Sequence, residues 1–273
     1  MHGSPAALLA RRIVLAALAI SAPVAASAAD SLAIVGTEFV LTTAGGRSLR
    51  SSDLVGAKLT LAIAGKRVEI AIESVEKDPT AVGGPVFLHH FLAKDDETGE
   101  FVEMCAPDAE QRRLGFPVPD GNGGLRLTCT SGAVGKCVRW GYRPWEERPG
   151  GPPLAALHQA CVHMARADYG GDGRPTTREG MLIYWCDRFG VQPCGEDFPA
   201  PFEAAWGKDG ATCVAHPRIA ENISLAQLAR HYPRLQGHLG TADCAEERAM
   251  RDPAALLFNH SGQTPIRRDG VGG

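Results

Sequence analysis

The chain has 273 residues, Lys+Arg 28 against Asp+Glu 31, a formal charge of −3 and 44% hydrophobic residues. This balance excludes a disordered polyelectrolyte, a collagen and a coiled coil. It also argues against a nucleic-acid partner, which calls for a basic field. Gly 32 and Pro 19 forecast many turns and few long elements.

Residues 1–29 read as a signal peptide. Arg11 and Arg12 give a positive start, and Ile13 to Ala26 is apolar apart from Ser21 and Pro23. Ala26-Ser27-Ala28 is a small-x-small cleavage site, with Ala29 permitting a cut one residue later. The apolar run is about 14 residues, short of the about 20 that span a bilayer, and no later window supplies them, so the mature chain is expected to have no membrane span. The paired Arg leaves the general and the twin-arginine export routes both open. Removing a leader with two Arg and no acid leaves Lys+Arg 26 against Asp+Glu 31. The expected location is periplasmic or secreted.

All eight cysteines follow the leader: Cys105, Cys129, Cys137, Cys161, Cys186, Cys194, Cys213 and Cys244. An even number in an exported protein reads as disulfides. Spacing does not choose the pairs, although Cys129–Cys137 and Cys186–Cys194 are plausible local closures. Zinc is disfavoured, because no pair has CxxC spacing and none lies beside HxxxH.

Residues 30–104 read as a β-rich N-terminal region. Leu59, Leu61 and Ile63 alternate, as do Val68, Ile70 and Ile72. Val86 to Ala93 is a third apolar run, and Phe101 to Met104 returns after the polar turn 94–99. These segments suggest an antiparallel sheet or small barrel, its edges covered by Leu125 to Cys129 and Val138 to Tyr142. Residues 105–125 read as a long Pro- and Gly-rich loop, and 143–153 as a rigid connector.

Beyond the connector the period becomes helical. Leu154, Leu157, Cys161 and Met164 share a face, with Gly170-Gly171 as the stop. Ser224 caps Leu225 to His231, which Pro233 ends. Asp243 with Glu246 resembles a capping box for a further short helix. The fold class predicted is α+β: a sheet or small barrel, then a disulfide-braced, loop-rich, mainly helical region, then a flexible tail over 262–273.

The polar segment 167–179 carries the densest chemistry. With Asp168 first in a calcium-binding loop, Asp172, Gly173, Thr176 and Glu179 fall fifth, sixth, ninth and twelfth. Gly170 at the third place offers no side-chain oxygen, and Pro175 stands at the eighth. The alternative is an Asx-type turn in which Asp172 bonds its own backbone. Calcium is thus the one cofactor suggested. Asp168, Asp172, Glu179 and Asp187 lie within twenty residues and are the candidate acid and base of a glycan or peptide hydrolase.

Weaker candidates surround it. Adjacent residues in a strand face opposite ways, so His89 and His90 cannot share a metal. His158 and His163 lie off a common helical face. Gly132 to Cys137 lacks the spacer of a phosphate loop and reads as a turn before a strand. Trp140, Tyr142 and Trp145 suit either a core at strand alternation or a sugar site. Asn222-Ile223-Ser224 and Asn259-His260-Ser261 are formal glycosylation sequons.

At Ala167-Asp168-Tyr169-Gly170-Gly171-Asp172-Gly173 the chain resembles the ADYC-domain family of exported proteins. The resemblance extends through residues 129–137, 141–145, 158–161, 187–192, 206–211 and 257–259, marking 105–261 as the ADYC-like region. The family's name implies Cys where Gly170 stands, so either its bridge is lost or Cys186 supplies a substitute thiol, the even total of cysteines favouring substitution. The family supplies no activity, substrate or cofactor. The function expected is a non-enzymatic binding or structural module with an envelope or extracellular partner, the hydrolase being the alternative.

Overall fold

The computed structural model describes residues 30–63, 65–120, 124–195 and 198–262. The segment 1–29 read as a signal peptide, the tail from residue 263 and the Ile63 side chain lie outside them. Three antiparallel sheets form the frame. The first is the meander β1 (Ser31–Val35), β2 (Glu38–Thr42) and β3 (Ser48–Arg50).

The second sheet holds β4 (Lys58–Ile63), β5 (Lys66–Lys77), β6 (Phe87–Lys94), β7 (Phe101–Glu103), β8 (Leu114–Pro119) and β9 (Leu125–Cys129). Its order is β4-β5-β6-β8-β9, with β7 also on β6. The alternating residues of β4 and β5 do what their period predicts. Leu61, Ile70 and Ile72 are buried with Phe39, Leu54 and Phe91 in a core that also takes in Leu32, Leu41, Leu125 and Leu127. Burying each such side chain contributes about 1.5–3 kcal/mol. His89 points into this core, stacks on Phe91 and meets Ser51 Oγ at 2.7 Å, while His90 points out to Glu103.

Two helices follow, α1 (Ala133–Arg139) and α2 (Leu154–Arg166). Next come β10 (Ile183–Asp187), β11 (Phe202–Gly207) and β12 (Gly210–Val214), then the short helices α3 (Leu225–His231) and α4 (Glu246–Ala249), then β13 (Leu257–Ser261). The third sheet has the order β10-β13-β11-β12. Helix α2 packs its apolar face on this sheet, burying Leu157, Met164, Tyr169 and Trp206. A buried ion pair, Arg139 Nε to Asp78 Oδ2 at 2.5 Å, ties α1 to the end of β5.

The C-terminal half is therefore not mainly helical. Six strands and four short helices lie beyond residue 105 among the described residues. β11 and β13 are covered on both faces, so neither shows the alternation that marks a half-buried strand. The segment 105–125 is not a loop throughout, since it contains β8. Pro117 and Pro119 disguised that strand. They lie where β8 pairs with β9 alone, β6 having stopped at Gly115, so no ladder bond is lost on the open side.

Gly132 to Cys137 leads into α1 rather than a strand, and Val138 belongs to that helix instead of an edge strand. Gly135 is required there, because a Cβ would overlap the Cys129 carbonyl as α1 crosses β9. Trp140 and Tyr142 accordingly do not alternate on a strand. α2 ends at Ala167, in the left-handed region at φ 48°, before Gly170-Gly171 is reached. Ser224 does cap α3, in a capping box with Gln227. At α4 the N-cap is Ala245, not Asp243.

All eight cysteines are bonded: Cys105–Cys129, Cys137–Cys161, Cys186–Cys194 and Cys213–Cys244. The local closure Cys129–Cys137 is thus replaced by two bridges, one within the second sheet's margin and one joining α1 to α2. Cys186 is bonded to Cys194, and no cysteine among the described residues is left free. This bridge closes a short loop, and the space above Gly170 is filled by the Tyr232 ring, which a Cβ there would strike.

Candidate functional site

The left-handed cap at Ala167 turns the chain so that Asp168 and Tyr169 point inward. Asp168 Oδ2 accepts from His163 Nδ1 at 2.9 Å and Gly173 N at 2.9 Å, and Oδ1 accepts from Gly171 N at 3.0 Å. Burial pushes the Asp168 carboxyl up, but the His163 ring and the two amides more than offset this and hold it below its ordinary value. The other nitrogen of His163 faces the Lys208 carbonyl at 3.1 Å, so both ring nitrogens meet acceptors.

Tyr169 enters a buried polar network that has no local signature in the amino-acid order. Its hydroxyl donates to Glu203 Oε1 at 2.9 Å and accepts from Arg218 N at 2.7 Å. Arg218 reaches Glu203 through Nε at 3.0 Å and Nη2 at 3.1 Å, and also donates to the Met164 carbonyl at 2.8 Å. Asn259 donates to Glu203 Oε2 at 2.8 Å and accepts from Trp206 Nε1 at 2.7 Å. Burial raises the Glu203 carboxyl, yet the Arg218 guanidinium and the further donors keep it lowered overall. Every partner is satisfied within the fold, so this network clamps α2 to the third sheet.

The remaining predicted residues are dispersed. Asp172 is exposed, accepting from Arg174 N at 3.1 Å in an Asx turn and from the Tyr232 hydroxyl at 3.1 Å. Thr176 is buried and its hydroxyl donates to the Ala167 carbonyl at 2.6 Å. Asp187, at the end of β10, accepts from the Tyr142 hydroxyl and from the amides of Phe189, Val191 and Gln192. Glu179 is exposed. Among the described residues, no group of three or more His, Cys, Asp or Glu side chains is gathered to hold a metal ion.

Two clefts flank α2, and Arg166 in its last turn lines both. One, of about 560 Å³, lies between α2 and the connector and is lined by Trp145, Arg126, Gln159 and His158. His158 is buried, and desolvation lowers its pKa to about 4. The other, of about 590 Å³, lies between the Cys105–Cys129 bridge, α1 and residues 177–183. Of the four candidate acids, Glu179 alone lines either cleft. Its Lys136 sits inside the 129–137 motif, but Arg166 and Arg178 are scattered surface cations that no spacing rule brings together.

The fold and site together define a disulfide-braced β-rich protein with a rigid polar heart and two lateral clefts. The sequence pattern of the ADYC domain matches residues 51–220, more than half of the chain, so the protein belongs to the ADYC domain family. The match spans the second sheet, the ADYC turn and the Glu203–Arg218 pair. No curated protein and no solved structure shows significant similarity to the chain.

Proposed function

We propose that this protein is an exported, disulfide-stabilised binding module that engages an envelope or extracellular partner without transforming it. The carrying observation is how its inward-facing acids are used. Asp168 and Asp187 each have their oxygens taken by donors of the fold itself. A glycosidic or peptide hydrolase of the two-carboxylate kind needs one carboxyl kept protonated by a raised pKa. The carboxyls displaced here, Asp78, Asp95, Asp108, Asp168, Glu203 and Asp209, all move down. That leaves the clefts beside α2 as surfaces for recognition. Export is supported by the Arg11-Arg12 start, the apolar run, the Ala26-Ser27-Ala28 site and four bridges.

Two measurements test the reading. Cell fractionation should find the protein outside the cytosol, with residues 1–28 or 1–29 removed. Incubation with cell-wall glycan and with unfolded protein should release no fragments. Turnover that drops in Glu179→Gln or Asp172→Asn, with the melting curve unchanged, would overturn it in favour of the hydrolase.

A further inference from the structure

The cleft between α1, the end of α2 and residues 177–183 has a charge opposite to that of the chain. Lys136, Arg166 and Arg178 line it, against the single carboxylate of Glu179, while the whole sequence has Asp+Glu 31 against Lys+Arg 28. Arg218 also lines it, but its charge is met by Glu203. The other three are not neutralised by close ion pairs. The Lys136 side chain makes no hydrogen bond or ion pair among the described residues, and the Arg166 guanidinium gives one N–H to the Gly173 carbonyl at 2.5 Å. Arg178 has Glu221 at 3.8 Å, with both side chains more than half exposed. A basic cleft with low-dielectric walls concentrates anions even on an acidic molecule.

The walls are of that kind. Trp140, Met181, Ile183 and Pro107 line the same space. Trp140 is fixed in place by Trp185, with ring centroids 4.0 Å apart. A volume of about 590 Å³ falls in the range of small-molecule sites and below what a folded partner needs.

Deepening the binding-module reading, on which it rests, we infer that this cleft takes a small organic anion. Its acidic group, a carboxylate, sulfonate or phosphate, meets Lys136, Arg166 and Arg178, and its apolar body lies against Trp140 and Met181. Lys136, Arg166 and Arg178 reject cationic analogues of the same shape by like-charge repulsion, and a neutral analogue leaves them without a partner, while the Glu179 carboxylate opposes the anion and moderates its affinity.

The probe is 8-anilinonaphthalene-1-sulfonate, titrated against the full mature chain by fluorescence and calorimetry. The neutral N-phenyl-1-naphthylamine is its control. Lys136→Glu and Arg178→Glu should each weaken sulfonate binding about tenfold, and Glu179→Gln should strengthen it severalfold. The neutral analogue should bind more weakly and ignore both charge reversals. Melting temperature and near-ultraviolet dichroism confirm that each variant is folded, and Lys136→Gln replaces any that is not, with a loss of about threefold. Absent binding to the native protein, affinity indifferent to the reversals, or equal affinity for the neutral analogue overturns the inference. Such failures leave the non-enzymatic reading standing. Fragment release in the turnover assay sinks that reading while leaving the charge dependence intact.

Discussion

Glu203 and Arg218 set the terms on which a charge survives in this interior. Each is almost wholly enclosed, and each is supplied with every partner its geometry can use. Glu203→Gln or Arg218→Met alone should therefore cost about 3–5 kcal/mol, because the remaining charge is left uncompensated. The pair Glu203→Leu with Arg218→Met should cost clearly less than the sum, as urea unfolding can show; additive losses would mean the two do not act together.

Buried imidazoles add a pH dependence. His89 and His158 are held neutral by desolvation, with folded pKa values lowered to about 4 from 6.5. The unfolded chain then binds the extra protons between those values. Their contribution is complete above about pH 6.5 and is lost as pH falls towards 4, by a few kcal/mol in total. His89→Gln should flatten the fall in urea midpoint between pH 7 and 5. Asp168 acts at lower pH. Its folded pKa lies below 3.8, so its contribution is present above that value and is lost as acid carries the pH beneath it.

At this scale the sequence marks Asp168 and Tyr169 through the motif around them. It does not mark Glu203 and Arg218, whose significance comes from burial, which no local pattern reports.

The start of α3 carries a clear local signal, whereas the ends of α2 and α4 do not. Ser224 is readable as a cap because its side chain acts within one turn, and the structure adds Gln227 as its partner in a capping box. Strands β11 and β13 are not readable, because covering both faces erases the alternation of period two. β8 was masked by prolines that a one-sided pairing tolerates. Position 170 shows how an element can be fixed by a neighbour far along the chain: Tyr232 stands over it and leaves room for hydrogen alone. Gly170→Ala should destabilise by about 1–3 kcal/mol, and adding Tyr232→Ala should recover part of that loss. Urea midpoints of the two variants decide it. No recovery would show that the glycine serves its backbone instead.

The Cys137–Cys161 bridge joins α1 to α2 through cysteines 24 residues apart in sequence. Replacing both cysteines with Ala should cost about 3 kcal/mol, against somewhat less for the eight-residue Cys186–Cys194 closure. Equal losses from both would contradict a chain-entropy origin.

Across the molecule, three sheets and two lateral clefts are held by hydrophobic layers and four covalent links. The even cysteine count pointed to disulfides and the length to a core-sized chain, and the family resemblance located the ADYC turn. Neither disclosed that the C-terminal half is sheet, since that depends on which segments meet. Titration of the denatured, unreduced protein should find no reactive thiol, and several would contradict the bridges described.

The order of those bridges has a consequence for biogenesis. Each cysteine is joined to the one that follows it, and no loop interleaves with another. If the chain threads N-terminus first into an oxidant-rich space, as the general export route would have it, every thiol meets its rightful mate before the next couple arrives. On that route vectorial oxidation alone would yield the correct linkage, with a shuffling catalyst superfluous to maturation. Cells lacking disulfide isomerase should accumulate the fully bridged protein at undiminished yield.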